Sequence, residues 1–223
     1  MVNDVHSQDA GRAQRALWGL GGATRGPRAR FTVREVARAA VSLADTSGLE
    51  AVSLAAVAER LGVATTALYR YVDSREELTE VMVDEALGAA PELSEGPWQD
   101  RVTAWSDRLW RRHAAHPWLC EVQLSRLAPC PAPLAWLEEV LRCLEQAPVE
   151  RPLALALMLD GLATSYARLR GSRSPEQVPQ WLATLLGERF PRLASALADN
   201  DESLEQAYAE AVQVALDGAV RRS

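Results

Sequence analysis

Five side chains with hydrogen-bonding or cationic ends occur within seven positions of the sequence: Thr65, Thr66, Tyr69, Arg70 and Tyr71. The helical spacing around them predicts that they project outward from one short helix. Hydroxyls, aromatic edges and a guanidinium suit a DNA groove, where the first residues of a recognition helix contact base edges and flanking hydroxyls and cations contact phosphates. The alternative is an ordinary helical hairpin with a hydrated polar face, because such hairpins are common in helical proteins.

A helix-turn-helix pattern over residues 53–75 would position these side chains. The apolar positions at helical spacing are Leu54, Val57, Ala58 and Leu61 before the turn, and Leu68 and Val72 after it. Gly62 interrupts this period and is expected to end the first helix, because glycine tolerates the left-handed conformation found at helix ends. Ser53 is predicted to cap the first helix, and Thr65 or Thr66 the second, through side-chain oxygens that accept from first-turn amides.

Two capping boxes flank this hairpin and predict further helix starts, Thr32 with Glu35 and Ser74 with Glu77. Together with the hairpin, the flanks resemble the TetR family of transcriptional regulators over about residues 31–82. The segments that carry the resemblance are FTVREVA (31–37), ADTSGL (44–49), VAERLGV (57–63), LYRYV (68–72) and REEL (75–78).

The resemblance implies an all-α protein of about ten helices in which an N-terminal three-helix helix-turn-helix domain precedes a larger C-terminal helical domain. Glycine and proline between residues 88 and 97 favour a domain boundary there. The expected divisions are a flexible arginine-containing arm (1–30), a DNA-binding domain (31–90) and a ligand-binding and dimerisation domain (91–223).

The function implied by the resemblance is that of a transcriptional regulator, most simply a repressor. It would bind a pseudo-palindromic double-stranded DNA operator as a homodimer and be released by a small apolar or aromatic effector. A DNA-binding activator, or a factor regulated by another protein and without a small-molecule pocket, remains the alternative. No nucleophile elbow, phosphate loop or dinucleotide fingerprint occurs in the sequence, so an enzyme is not expected.

The expected DNA-contacting residues are Arg34, Ser53, Thr65, Thr66, Tyr69, Arg70, Tyr71 and Arg75. One position departs from the family pattern, because relatives often carry lysine where this chain has Asp73. Ala55 and Ala56 also stand where relatives often place a DNA-contacting cation. Backbone affinity is therefore expected to depend more on Arg75, Arg34 and the N-terminal arm.

Charge is unevenly distributed along the 223 residues, which carry a net charge of −6 and no lysine. Residues 1–34 hold six arginines against two aspartates, so the basic potential lies near the predicted DNA reader. Glycine and proline in residues 1–30 are expected to prevent regular structure. Arg25, Arg28 and Arg30 could then contact phosphates or a narrow minor groove, although a tail without a role is an equal alternative.

The cysteines, Cys120, Cys130 and Cys143, are odd in number and lack metal-ligand spacing, so buried thiols in a reducing cytoplasm are expected. No apolar stretch is long enough for a membrane span, and the N-terminus lacks a signal-peptide pattern. These features favour a cytoplasmic protein without membrane association.

The C-terminal domain is predicted to be helical throughout. Its helices are expected at 97–115, 117–127, 132–146, 152–171, 175–189 and 203–220, after earlier helices at 33–46 and 75–89. Residues 112–119 and 136–138 resemble, more weakly, the tetracycline-repressor subgroup, whose dimers form a four-helix bundle. The corresponding stripes here would be Leu155, Leu159, Leu162 and Tyr166 with Leu204, Tyr208, Ala211 and Ala215, unless they form the core of one subunit.

Six of the seven tryptophans lie in this domain, where they could fill the bundle core or line an effector pocket. The candidate pocket residues are Trp105, Leu109, His113, Trp118, Trp136, Met158, Leu162 and Tyr166. His113 and His116 are close enough to share a metal ion, but no third ligand is evident. A hydrogen-bonding role is therefore favoured, and neither a metal nor any other cofactor is expected.

Overall fold

The computed structural model describes residues 11–20, 30–122, 129–172, 179–198 and 203–220. These residues form eleven α-helices and no β-strand, which confirms the predicted all-α fold. The helices are α1 (Arg12–Leu17), α2 (Val33–Ser47), α3 (Leu54–Leu61), α4 (Thr65–Leu68), α5 (Arg75–Leu87), α6 (Trp98–Ala115), α7 (Pro131–Leu144), α8 (Pro152–Ser172), α9 (Gln180–Arg189), α10 (Pro191–Ala198) and α11 (Leu204–Ala219). Two 3₁₀ helices occupy Leu49–Ala51 and Pro117–Glu121.

The predicted helix 117–127 is a 3₁₀ helix that ends at Glu121, and residues 123–128 lie outside the described part of the chain. Helix α9 begins at Gln180, whereas 175–178 are outside the described residues. Helix α10 lies between the predicted helices 175–189 and 203–220, where Pro191 favours a break in helical structure. It begins at that proline, which is compatible with the first position of a helix since no intrahelical amide is needed there.

Helix α1 contradicts the expectation that residues 1–30 lack regular structure. It packs against α2 and α5, and its Ala13 is fully buried. The Ala13 amide donates to Glu77 Oε1 at 2.7 Å, so a tertiary contact holds a six-residue helix that would be marginal in isolation. Residues 1–10 and 21–29, including Arg25 and Arg28, lie outside the described residues.

The helix-turn-helix forms largely as its capping residues predict. Thr32 and Glu35 make both hydrogen bonds of a capping box, and Ser53 Oγ accepts from the Ala56 amide at 3.1 Å. Gly62 ends α3 in the left-handed region, with φ 65° and ψ 42°. The cap assigned to Thr65 or Thr66 is wrong, because Ala64 precedes α4 and no side chain caps it.

Helix α5 supports the helix-turn-helix with a buried apolar face on which α2 packs. Leu78, Val81 and Met82 are fully buried on this face. Ser74 caps α5 by accepting from the Glu77 amide at 3.0 Å. The predicted return bond from Glu77 to the capping residue is absent from these contacts, because the Glu77 carboxylate accepts instead from the Ala13 and Asp73 amides.

The core of the C-terminal domain lies between α6, α7, α8 and α11. The stripes predicted to pair across a dimer are largely internal to the subunit: Leu155, Leu159, Tyr208 and Ala215 are all buried. A different face of α8 is exposed, with Leu153, Leu157 and Met158 outward, and Val214 is exposed on α11. The helical period indicated burial correctly but did not distinguish intrasubunit from intersubunit packing.

Polar contacts join helices α2 and α5 to the C-terminal helices. Asp45 on α2 accepts from His116 Nδ1 at 2.9 Å and from Trp118 Nε1 at 2.8 Å. On α5, Asp84 Oδ1 accepts from the Ala132 amide at the start of α7. These contacts attach the segment that follows α6 to α2, and the start of α7 to α5.

All three cysteines are buried, as predicted. Burial raises the pKa of the Cys120 and Cys143 thiols. Within the described residues, each helix is too short or too polar to traverse a bilayer.

Candidate nucleic-acid interface and effector region

The recognition surface is formed by α4 and the turn that follows it. Leu68 is fully buried and fixes the orientation of the helix, which leaves Thr66, Tyr69 and Arg70 exposed, with Thr65 half-buried beside them. Arg75, at the start of α5, is also exposed. The surface therefore presents hydroxyls, one phenol and two guanidinium groups, the donor set expected for base edges and phosphates.

Tyr71 does not belong to this outward set, contrary to the prediction. Its side chain is 8% exposed, and its hydroxyl oxygen accepts from the Phe31 amide at 3.2 Å. Tyr71 thus lies on the inner side of the helix-turn-helix, where it holds the segment that leads into α2. Its position three residues after Leu68, on the same face of a helical period, is the signal that could have indicated this burial.

Arg34 is exposed, but its guanidinium is shared with acidic groups on α5. Nη1 lies 3.6 Å from Asp84 Oδ2 and 3.7 Å from Glu85 Oε2, and the neighbouring Arg38 donates to Glu85 Oε1 at 3.0 Å. A phosphate contact by Arg34 would therefore compete with these carboxylates. Ser53 is exposed, and its hydroxyl oxygen is already engaged as a cap.

Asp73, the charge reversal that departs from the family pattern, has a cationic partner from α1. Arg12 Nη2 lies 3.3 Å from Asp73 Oδ1, and the Arg12 amide donates to Asp73 Oδ2 at 3.4 Å. Arg12 Nη1 also donates to the Tyr69 carbonyl at the end of α4. Sequence reasoning missed Arg12, because a partner 61 residues away gives no local signal.

Most of the predicted effector residues pack together as a dense interior. Trp105, Leu109, His113, Trp118 and Trp136 are buried, and Leu162 and Tyr166 are half-buried. Trp105 Nε1 donates to the Trp136 carbonyl at 2.9 Å. Met158 is 46% exposed and therefore does not line an interior pocket.

The two histidines serve separate contacts. His113 Nδ1 lies 3.0 Å from the Leu109 carbonyl and its Nε2 lies 3.3 Å from Thr164 Oγ1, whereas His116 contacts Asp45. Trp118 also contacts Asp45, on the side of the domain that faces α2. Trp118 therefore connects the C-terminal helices to α2.

Several openings lie at the surface of the C-terminal helices. A cleft of about 700 Å³ between α6 and α11 is lined by residues that include Asp107, Trp110, Arg111, Arg170 and Tyr208. A groove of about 820 Å³ between α8 and α11, here called the α8–α11 groove, includes Leu155, Met158, Val214 and Gly218. A recess of about 400 Å³, the Trp136 recess, includes Ala89, Pro91, Arg108, Arg112 and Trp136.

The Trp136 recess lies at the connection between the domains. Trp136 Nε1 donates at 3.1 Å to the carbonyl of Gly88, which caps the C-terminal end of α5. A molecule entering beside this indole would therefore meet the end of the helix on which the DNA reader packs.

Asp84 is a buried carboxylate at the same connection, and its pKa is raised. Burial is the main cause, while the hydrogen bond from the Ala132 amide and the charge of Arg34 act in the opposite direction. Asp84 Oδ1 accepts from Ala132 at 2.6 Å, whereas Oδ2 is buried without a hydrogen-bond partner. The Asp84 carboxylate thus joins α5 to α7, although its burial disfavours the ionised form.

Replacing Asp84 with Asn should flatten the dependence of unfolding free energy on pH. The folded-state pKa lies above the unfolded one, so protonation stabilises the fold at low pH, and this contribution is lost as pH rises from about 4 through the folded-state pKa. Urea unfolding of both proteins between pH 4 and 8 measures the difference. Asp84→Ala, which leaves the Ala132 amide without its acceptor, should cost about 1 to 3 kcal/mol. The same change of unfolding free energy with pH in wild type and Asp84→Asn would contradict a raised pKa for Asp84.

Comparisons with known proteins agree with this architecture. The family model described as bacterial regulatory proteins, tetR family, matches residues 36–82. The transcriptional repressor DrrR1 of Streptomyces coeruleorubidus is 31% identical over 213 residues, which cover 86% of this chain and 79% of that protein. A transcriptional regulator of Saccharopolyspora erythraea is 31% identical over 150 residues, covering 66% and 62% of the two chains.

Solved structures show the same fold. The apo form of ActR from Streptomyces coelicolor superposes with a TM-score of 0.75 at 22% identity, covering 87% of this chain and 97% of that one. The ActR complex with actinorhodin gives a TM-score of 0.72 at 22% identity, with coverage of 86% and 97%. Since the likeness to DrrR1 extends through both domains, this chain belongs to the TetR family of transcriptional regulators.

Proposed function

We propose that this regulator is a repressor that binds a pseudo-palindromic DNA operator as a homodimer and releases it when a small aromatic molecule enters the C-terminal domain. The observation that carries the DNA-binding part is the exposed set Thr66, Tyr69 and Arg70, held outward by the buried Leu68. The repressor role is supported by the likeness to DrrR1, a protein named as a repressor.

The exposed side chains divide into two roles. Thr66, Tyr69 and Arg70, with the half-buried Thr65, would contact base edges in the major groove. Arg75 at the start of α5, together with Arg34 and Ser53 at its margin, would contact phosphates. Two such surfaces in a dimer must be separated by about 34 to 36 Å, or a multiple of it, to enter major grooves on one side of the duplex.

Selection of bound sequences from a random DNA pool, at two salt concentrations, tests this function. Recovery of a pseudo-palindrome is expected, and the logarithm of its affinity should fall with the logarithm of salt at about −0.9 per phosphate neutralised. Recovery of nothing above background by the purified protein would overturn the proposal that the chain alone binds an operator.

Substitution of the recognition residues should weaken binding to the selected operator. Tyr69→Ala and Arg70→Ala are each expected to cost about 1 to 3 kcal/mol of binding free energy if their side chains contact bases. Fluorescence anisotropy with a labelled operator measures the change. Arg142→Ala is the control, because Arg142 is an exposed arginine paired with Glu139 on α7. Unchanged affinity in both test variants would remove α4 from the interface.

The effector part of the proposal is supported by the aromatic interior and by the Trp136 recess. ActR has been solved with actinorhodin and with (S)-DNPA, and this chain shares its fold. Here Trp105, Leu109, His113 and Trp136, with Leu162 and Tyr166 at the margin, would repack around a planar ligand. His113 would supply a polar anchor, since it already bonds to Thr164 across the interior.

A repacked interior could release DNA only if the ligand binds one dimer conformation better than the other. The contact between Trp136 and the end of α5 offers the physical connection for that difference. A screen of aromatic compounds for release of the labelled operator tests the effector part separately from DNA binding. Failure of all planar aromatic compounds would favour regulation by another protein.

The dimer part is supported by the exposed apolar face beside the α8–α11 groove. The large apolar side chains of Leu153, Leu157 and Val214 are exposed on this face. Gly161 and Gly218 have open space where a side chain would begin, so helices of a second copy can approach closely. Two helices from each subunit would then form a four-helix bundle.

A further inference from the structure

We propose that Arg12 is a positioning residue for the recognition helix, which it anchors through Tyr69 while neutralising Asp73. The inference rests on the proposed binding of DNA by α4. It assigns to α1 a part in DNA binding, although α1 lies outside residues 36–82, the segment matched by the family model.

The contact of Arg12 with the end of α4 has two components. One guanidinium nitrogen donates to the Tyr69 carbonyl, which follows the last residue of the short recognition helix. The other lies 3.3 Å from the Asp73 carboxylate, and both side chains are half exposed. A planar guanidinium suits this bridge, because its donors are held in a fixed geometry.

The backbone of α1 is held against Glu77, which places Arg12 beside Asp73. The amide of Ala13 donates to Glu77 Oε1 at 2.7 Å, and Glu77 is itself buried. A Cβ atom on Gly11 would clash with the same carboxylate oxygen. Only glycine therefore allows this close approach without a shift of Glu77, and the approach brings Arg12 to Asp73.

The placement of Arg12 matters for DNA binding because Asp73 carries a negative charge. Without a partner, a carboxylate after the recognition helix would face the phosphates of a bound duplex and repel them. Arg12 offsets that charge and also restrains the Tyr69 carbonyl. The exposed Tyr69 and Arg70 side chains, which contact DNA in the proposed function, are thus carried by a segment restrained from α1.

The opposite end of α1 is held by the C-terminal domain. Trp18, just after the helix, donates from Nε1 to the Pro129 carbonyl at 2.8 Å. Pro129 lies two residues before α7, whose Trp136 lines the recess described above. The short helix therefore spans from the recognition helix to the start of α7.

A double-mutant cycle on the full chain tests the role of Arg12. Arg12→Ala should lower operator affinity on the order of tenfold, because it exposes the Asp73 charge and frees the Tyr69 carbonyl. Asp73→Asn should have little effect in the wild-type background. In the Asp73→Asn background, Arg12→Ala should cost clearly less than it does alone, since the two side chains act as a unit.

Additive effects in this cycle would overturn the proposal, because a direct phosphate contact by Arg12 would weaken binding equally in both backgrounds. Arg142→Ala is the matched control, as it breaks an exposed arginine–carboxylate pair on α7. Gly11→Ala should weaken operator binding as Arg12→Ala does, and urea unfolding of each variant checks that the fold is retained.

Amide hydrogen exchange without DNA provides a second measurement. Exchange across residues 65–72 should be faster in Arg12→Ala than in wild type and unchanged in Arg142→Ala. Equal exchange in Arg12→Ala and wild type would contradict the anchoring of α4. If the wild-type chain binds no operator, the proposed function fails, whereas this measurement still tests the anchor.

Discussion

In the proposed homodimer, Leu157→Arg should yield a folded monomer and lower operator affinity on the order of 10²- to 10⁴-fold, the gain that linking two binding modules provides. Leu157 is 56% exposed on the apolar face of α8, with Val214, 72% exposed, on the neighbouring helix α11. A guanidinium there would have to be desolvated in a four-helix bundle, whereas in a monomer it remains in water.

Sedimentation velocity measures the assembly state, and fluorescence anisotropy measures the affinity for the selected operator. Ala135→Arg, which places the same charge on an exposed position of α7, should remain dimeric and bind normally. A Leu157→Arg protein that sediments as wild type would exclude this face from the dimer interface. Unchanged thermal unfolding of the monomer would show that the substitution acts on assembly and not on folding.

Trp118→Ala should destabilise the chain by about 3 to 5 kcal/mol, the range typical of a large aromatic side chain removed from a core. Trp118 is 2% exposed, and its indole also donates to Asp45 on α2 at 2.8 Å. The substitution thus creates a cavity and removes a polar connection between the domains.

Urea unfolding followed by circular dichroism measures this loss. Trp118→Phe retains most of the buried surface and removes the donor to Asp45, so it should cost less than the alanine variant. Trp181→Ala is the matched control, because Trp181 is 65% exposed on α9 and should change stability by no more than about 0.5 kcal/mol. Similar losses for Trp118→Ala and Trp181→Ala would contradict the burial argument.

The helix-turn-helix could be predicted from sequence because local signals determine it. Ser53 caps α3, Gly62 ends it in the left-handed region, and Leu68 resumes the buried period. Each of these effects acts within a few residues. The outward positions Thr66, Tyr69 and Arg70 follow directly from that period.

Features determined by contacts between distant segments were not predicted. Helix α1 forms where Ala13 meets Glu77, and the burial of Tyr71 depends on the start of α2. In a glycine-containing segment, composition favoured an arm, and no local pattern indicates a carboxylate that arrives from α5. The partner of Asp73 belongs to the same class of long-range contacts.

The effector region shows a different limit of sequence reasoning. Apolar spacing predicted that Trp105, Leu109 and Trp136 face inward, and they do. The same spacing cannot distinguish a filled interior from an open one, because both require inward apolar side chains. Met158 illustrates the related ambiguity, since an apolar residue on α8 can face the core or a second subunit.

The bridge made by Arg12 limits how far the DNA-reading unit can be exchanged between regulators. A chimera that takes only residues 31–90 would carry Asp73 without the guanidinium that neutralises it, and Tyr69 without its anchor. Such a graft would inherit the reading residues and a negative charge beside them. The unit of modular exchange in this protein therefore begins at Gly11, whose missing side chain permits the seating of α1 against Glu77.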